Sequence, residues 1–101
     1  MKLYFVYILE CSDDSYYTGM TSDLEKRILE HNTGKYSEAY TFLRRPVKLK
    51  WVQGFVEPNL ALALEKQIKG WSRKKKQALI NGDLESLNKL SKNYTQFGKP
   101  D

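Results

Sequence analysis

The fold is decided by residues 3–20, whose sequence is LYFVYILECSDDSYYTGM. The apolar and aromatic residues from Leu3 to Leu9 form an uninterrupted run, which is typical of a β-strand buried on both faces. The polar group from Ser12 to Ser15 is a turn signal. A strand-like pattern then resumes at residues 16–20. Two such runs joined by a short polar link predict an antiparallel β-hairpin.

The residues after the hairpin predict a helix. Ser22 is expected to cap its first turn, and Glu25 can reach back to complete a capping box. The helix should run to about Asn32 and end at Gly34, since glycine suits the left-handed terminal position. Residues 35–46 show no strong periodicity and therefore predict a loop.

Strand and helix patterns alternate over the rest of the chain. The bulky residues of 47–56 predict a third strand, and Pro58 opens a second helix. The buried stripe of that helix should comprise Leu60, Leu64, Ile68 and Trp71. Residues 72–80 and 83–91 predict two further short helices. The predicted fold class is therefore α+β, a small three-stranded antiparallel sheet flanked by helices, in the order β-β-α-β-α with C-terminal helices added.

Length and composition limit the domain organisation. The 101 residues are enough for one domain and too few for two. We expect one domain over residues 1–92 and a frayed tail over residues 93–101. No apolar run approaches the roughly 20 residues that span a bilayer. The one cysteine, Cys11, cannot form an internal disulfide or a cysteine-based zinc site. These features predict a cytoplasmic protein without a membrane segment, with a monomer as the default expectation.

Positive charge is concentrated in a few places. Seventeen Lys and Arg residues against twelve Asp and Glu residues give a net charge of +5. Clustered positive charge attracts nucleic acids by neutralising phosphates and releasing counterions, although lysines that only solvate a helix produce a similar composition. The candidate nucleic-acid-binding residues are Arg44, Arg45, Lys66, Lys69, Arg73, Lys74, Lys75 and Lys76.

Five side chains with useful chemistry are expected to converge in this fold. Tyr7 and Tyr17 lie on the two strands of the hairpin. Arg27 and His31 lie four residues apart on the first helix and therefore share a side of it. Glu65 lies beside the apolar stripe of the second helix. Two phenols, a guanidinium, an imidazole and a carboxylate could then meet at one spot.

Each of these side chains also has a simpler structural explanation. The two tyrosines could form an ordinary cross-strand aromatic pair. Arg27 could pair with Asp23 on the helix surface. His31 could be favoured by the negative end of the helix, and Glu65 could form a helical ion pair with Lys69.

Taken together, the residues resemble the GIY-YIG nuclease domain over roughly residues 3–77. The first half-motif is residues 5–7, Phe-Val-Tyr, with phenylalanine in place of glycine. The second is residues 17–19, Tyr-Thr-Gly. Residues 21–27 match the stretch that leads to the family's arginine, and Glu65 lies where the family has its metal-binding glutamate. The chain is most similar to the small stand-alone bacterial members of that family.

The resemblance implies a metal-dependent DNA endonuclease, a phosphodiester hydrolase that is structure-selective or weakly sequence-selective and serves DNA repair or recombination. It implies one divalent ion, Mg²⁺ or Mn²⁺, bound by Glu65. It further implies that Tyr17 orients or deprotonates the attacking water and that Tyr7 assists by hydrogen bonding. Arg27 would hold the scissile phosphate, and His31 lies where related nucleases have a histidine or tyrosine near the active site.

Two positions depart from the pattern of many active relatives. Met20 lies where several have a lysine, and Gln77 lies where many have an asparagine. Neither position belongs to the core set, but both bear on turnover. One alternative function is a non-catalytic nucleic-acid-binding module with the same fold. Another is a protein-interaction domain in which Trp51 or Trp71 belongs to a contact patch.

Overall fold

The predicted hairpin is present in the computed structural model, which describes residues 1–90. Strand β1 covers Tyr4–Glu10 and pairs antiparallel with strand β2, Tyr16–Thr21. Residues 6–9 are all fully buried, so β1 is covered on both faces, as its uninterrupted apolar sequence predicts. The expected frayed tail at residues 93–101 lies outside the described residues.

The third strand completes the sheet on the other edge of β1. Strand β3 covers Lys48–Phe55 and pairs antiparallel with β1, which gives the strand order β2-β1-β3. Tyr7 in the central strand pairs with Gly19 on one side and with Val52 on the other. The predicted three-stranded antiparallel sheet of an α+β fold is thereby confirmed.

Helix α1, Leu24–Thr33, is capped by Asp23 rather than by Ser22. The Asp23 carboxylate accepts a hydrogen bond from the Lys26 N–H at 3.2 Å, so the predicted capping box is wrong. The reason lies two residues before Asp23, at Thr21. The Thr21 hydroxyl accepts from the Asp23 N–H at 3.1 Å, which fixes the chain so that the aspartate faces the open end of the helix.

The C-terminal end of α1 is as predicted. Gly34 adopts a left-handed φ of 74°, and its N–H donates to the Glu30 carbonyl. The following loop contains a short 3₁₀ turn at Phe42–Arg44. The Asn32 side chain donates to the Val47 carbonyl at 3.1 Å and accepts from the Val47 N–H at 2.7 Å. These two bonds tie the end of α1 to the residue that precedes β3.

Helix α2, Pro58–Lys69, buries Ile68 of the predicted stripe but leaves Leu60 exposed. It packs against β1 and β2 and buries Ala61, Glu65 and Ile68, whereas Leu60 is 60% exposed. The prediction of Leu60 in the buried stripe is wrong because residues 60–64 alternate leucine and alanine. That pattern is compatible with either face, and packing against the sheet selects between them.

The chain forms two compact units, which divide between Gly70 and Trp71. In the second unit, helix α3 covers Arg73–Ile80 and is capped by the Ser72 hydroxyl, and residues 84–90 are helical. The expectation of one domain over residues 1–92 stays a prediction. Within residues 1–90, no helix is long and apolar enough to cross a membrane.

Candidate active site

The two predicted tyrosines lie on one face of the hairpin. Tyr7 pairs with Gly19, and Leu9 pairs with Tyr17, so the two phenol side chains are diagonal neighbours with ring centroids 6.5 Å apart. A Cβ atom on Gly19 would lie only 2.5 Å from Tyr7 Cζ, so the missing side chain leaves the space that the Tyr7 ring fills. Tyr7 is fully buried and Tyr17 is half-buried. Tyr17 is therefore the more accessible of the two.

His31 is brought to the tyrosines by the packing of α1. Leu24 and Ile28 of this helix pack against the buried cluster that contains Tyr7. His31 Nε2 lies 3.3 Å from Tyr7 Oη, and Nδ1 lies 2.7 Å from Thr41 Oγ1. The histidine is only 5% exposed. Both ring nitrogens are therefore engaged inside the protein.

Arg27 is oriented by a buried carboxylate on the same helix. Its Nε lies 3.4 Å from Glu30 Oε1, so its ion-pair partner in the described residues is not Asp23. Glu30 is 8% exposed and also accepts from Lys35 Nζ at 2.9 Å and from the Tyr36 hydroxyl at 3.4 Å. The guanidinium is thus held by Glu30 while its side chain stays about a third exposed, at 37%.

Glu65 combines the predicted ion pair with a place near the tyrosines. It is 8% exposed, and its Oε2 lies 2.8 Å from Lys69 Nζ. The Lys69 ammonium is 5.9 Å from the centroid of the Tyr17 ring, and the negative charge of Glu65 contributes to raising the pKa of Tyr7. The Glu65 carboxylate therefore acts electrostatically on Tyr7, and its partner Lys69 lies near Tyr17.

Burial keeps the two inner groups uncharged. Burial raises the pKa of Tyr7 to about 12, and the charges of Tyr17 and Glu65 act in the same direction against the opposing influence of Arg27. Burial also lowers the pKa of His31, as does the nearby charge of Arg27, with Glu30 opposing both. At neutral pH, Tyr7 is therefore a phenol and His31 is a neutral imidazole. The explanation that His31 is there as a cation at the helix end is not supported.

An aromatic and cationic stack adjoins Tyr17. Its ring is stacked on that of Tyr40, with centroids 6.1 Å apart and planes 20° apart. The Arg44 guanidinium lies 3.9 Å from the centroid of the Tyr40 ring and donates from Nε to Asp13 at 3.0 Å. The site is thus continuous with one of the candidate nucleic-acid-binding arginines.

Three residues of the site are missing from the sequence prediction: Glu30, Tyr40 and Thr41. Glu30 lies three residues after Arg27, so the rule for helical neighbours could have found it. Tyr40 and Thr41 lie in the loop of residues 35–46, where no periodicity indicates which side chains turn inward.

The other candidate nucleic-acid-binding residues differ in their environments. In the first unit, Lys66 is exposed, and Arg45 lies over the Phe42 ring with its Nε donating to the Phe42 carbonyl. In the second unit, Lys75 lies 4.4 Å from the Trp71 ring centroid. The other basic residues of 73–76 differ in exposure. Arg73 and Lys74 are exposed, whereas Lys76 is buried.

The sequence matches the GIY-YIG catalytic domain over residues 3–78. The chain belongs to the GIY-YIG family. Its relatives include small stand-alone UPF0213 proteins: that of Syntrophus aciditrophicus is 47% identical over 86% of this chain and all of its own length, and that of Staphylococcus saprophyticus is 44% identical over 80% of this chain and 98% of its own length.

Two solution structures share the GIY-YIG fold seen here. The UPF0213 protein of Bacillus halodurans is 40% identical, with a TM-score of 0.52 over 78% of this chain and 83% of that one. A protein of E. faecalis is 37% identical, with a TM-score of 0.58 over 83% of this chain and 90% of that one. Membership of the GIY-YIG family implies nuclease chemistry on a nucleic acid, and its nucleases generally use divalent metal ions.

Glu65 is the residue that could hold such an ion. Within residues 1–90, no group of three His, Cys, Asp or Glu side chains could form a complete protein cage. One carboxylate nevertheless fits Mg²⁺, which usually retains several waters and takes further oxygens from a substrate phosphate. The Lys69 ammonium occupies one carboxylate oxygen, so an ion must share Glu65 with Lys69 or displace it. We expect weak metal binding in the absence of substrate.

Proposed function

We propose that this protein is a metal-dependent DNA endonuclease that hydrolyses phosphodiester bonds with structure selectivity or weak sequence selectivity. The observation that supports it is the convergence of two phenols, a guanidinium and a neutral imidazole on one face of the hairpin, with the buried Glu65 carboxylate acting on the Tyr7 phenol. A purely structural hairpin has no need of this set of groups.

Electrostatics suggest different roles for the two tyrosines. Tyr7 has a pKa of about 12, so it is a hydrogen-bond donor rather than a base. Tyr17 is more accessible and lies beside the Lys69 ammonium. In this proposal Tyr17 orients or deprotonates the attacking water and Tyr7 assists by hydrogen bonding. His31 supports Tyr7 from the interior.

Arg27 is suited to the scissile phosphate. A phosphodiester is already anionic, so catalysis requires positive charge where further negative charge gathers in the transition state. The guanidinium is partly exposed and is held by Glu30, and its planar fork can contact two phosphate oxygens. Bound to Glu65, a divalent ion would supply additional positive charge at the same phosphate.

We extend the proposal to the nucleic-acid-binding residues and to the cellular location. The exposed basic residues Lys66, Arg73 and Lys74 would contact the phosphate backbone, together with Arg44, Arg45, Lys69 and the partly buried Lys75. The buried Lys76 is not expected to reach it. A free, buried Cys11 is compatible with a reducing cytoplasm, where we place the protein in DNA repair or recombination.

The test is a cleavage assay on single-stranded, nicked and branched DNA with Mg²⁺ or Mn²⁺. We expect Arg27→Ala to lower the rate by about 10²–10³, while the neighbouring Lys26→Ala, which removes an exposed charge, changes it little. Equal rates for wild type and Arg27→Ala would indicate a contaminating nuclease and contradict the proposal. Salt-sensitive DNA binding without cleavage would instead identify a binding module.

A further inference from the structure

The hydrogen-bond partners of His31 determine which of its nitrogens carries the proton. Tyr7 is fully buried and protonated, so its one hydroxyl hydrogen needs an acceptor. Within residues 1–90, His31 Nε2, at 3.3 Å, is the acceptor within reach, whereas the nearby Arg27 has only donors. This contact favours an unprotonated Nε2, and in a neutral imidazole the hydrogen then lies on Nδ1.

The Thr41 hydroxyl accepts a hydrogen bond from that Nδ1–H. Its Oγ1 lies 2.7 Å from Nδ1, which is a short hydrogen bond, and the residue is only 1% exposed. Thr41 belongs to the loop of residues 35–46 rather than to α1, so it reaches the histidine from outside the helix. The second nitrogen of a functional histidine commonly has a partner that fixes its tautomer and ring orientation.

We propose that Thr41 is a positioning residue whose hydroxyl holds His31 as the Nδ1–H tautomer, with Nε2 directed at the Tyr7 hydroxyl. The orientation of Tyr7 within the site then depends on a side chain in the loop. The statement about the tautomer does not depend on the proposed nuclease function. Its consequence for cleavage rests on the proposed nuclease function, since only there does Tyr7 assist the reaction by hydrogen bonding.

The tautomer can be read directly because His31 is the only histidine in the sequence. Long-range ¹H–¹⁵N NMR spectra distinguish Nδ1–H from Nε2–H without any assignment ambiguity. We expect Nδ1–H in the wild type and in Thr41→Ser, which keeps the hydroxyl. In Thr41→Val, which has nearly the same shape but no acceptor, we expect a mixture of the two tautomers.

Two results would overturn the proposal: Nε2–H in the wild type, or an unchanged tautomer in a folded Thr41→Val. If Thr41→Val fails to fold, the spectra of the wild type and Thr41→Ser still decide. For cleavage, we expect a loss of about 10- to 100-fold in Thr41→Val and rescue in Thr41→Ser. Nδ1–H in a wild type that cleaves nothing would support the Thr41 assignment and contradict the nuclease function.

Discussion

Replacing Gly19 by alanine should create a steric clash with the Tyr7 ring. The new Cβ would lie 2.5 Å from Tyr7 Cζ, and the Tyr7 ring is fully buried in the central strand, so neither side can yield easily. Overpacking of this kind costs about 1–3 kcal/mol. The Gly→Ala change recovers about 0.4–1 kcal/mol by restricting the unfolded chain. We expect a net loss of about 1–2 kcal/mol.

The matched control lies in the same sheet. A Cβ on Gly54 of β3 would lie 3.4 Å from Phe5 Cε1, an ordinary contact, so Gly54→Ala should leave stability unchanged or raise it slightly. Urea unfolding measures both variants, and thermal unfolding should shift by roughly 4–8 °C per kcal/mol for a domain of this size. A Gly19→Ala protein as stable as Gly54→Ala would refute the account of how Tyr7 is accommodated.

Three further predictions concern the supports of the site. Asp23→Ala removes the cap on the Lys26 N–H and should lower the free energy of urea unfolding by about 0.5–2 kcal/mol. Ser22→Ala should change it little, and a larger loss in Ser22→Ala than in Asp23→Ala would favour the capping box instead. Asn32→Ala removes both hydrogen bonds to Val47 and should lower the free energy of unfolding by about 1–3 kcal/mol. An unchanged urea midpoint would show that these bonds do not stabilise the fold. The lowered pKa of His31 means that the unfolded chain takes up this proton at a higher pH than the folded chain. The free energy of unfolding should therefore fall as the pH is lowered from about 6.5. This fall should be smaller in His31→Gln, and identical pH profiles for the two proteins would contradict it.

The elements that sequence predicts well are those with strong local signals. The hairpin follows from an uninterrupted apolar run, a turn and a second run, and the end of α1 follows from Gly34, whose left-handed φ of 74° suits glycine. The choice of Asp23 over Ser22 does not follow, because both are good capping residues. The end of β2 at Thr21 decides between them.

The site residues can be predicted from sequence only where their contacts are local. Tyr7 and Tyr17 come together because hairpin pairing is local, and Arg27 and His31 share a side of one helix. Thr41 is not predictable, because it reaches His31 from a loop without periodicity and through a contact that only the folded chain creates. The buried face of α2 is likewise decided by packing, since its alternating leucines and alanines favour no single stripe.

We propose that a buried carboxylate, phenols and a guanidinium form one metal-assisted site. The most direct measurement is the rate of DNA cleavage as Mg²⁺ is raised, compared among the wild type, Glu65→Gln and Glu25→Gln, whose parent carboxylate is exposed in the first turn of α1. We predict Mg²⁺-dependent cleavage in the wild type and Glu25→Gln, and a rate lower by about 10²-fold or more in Glu65→Gln. Equal rates in all three proteins would contradict the account.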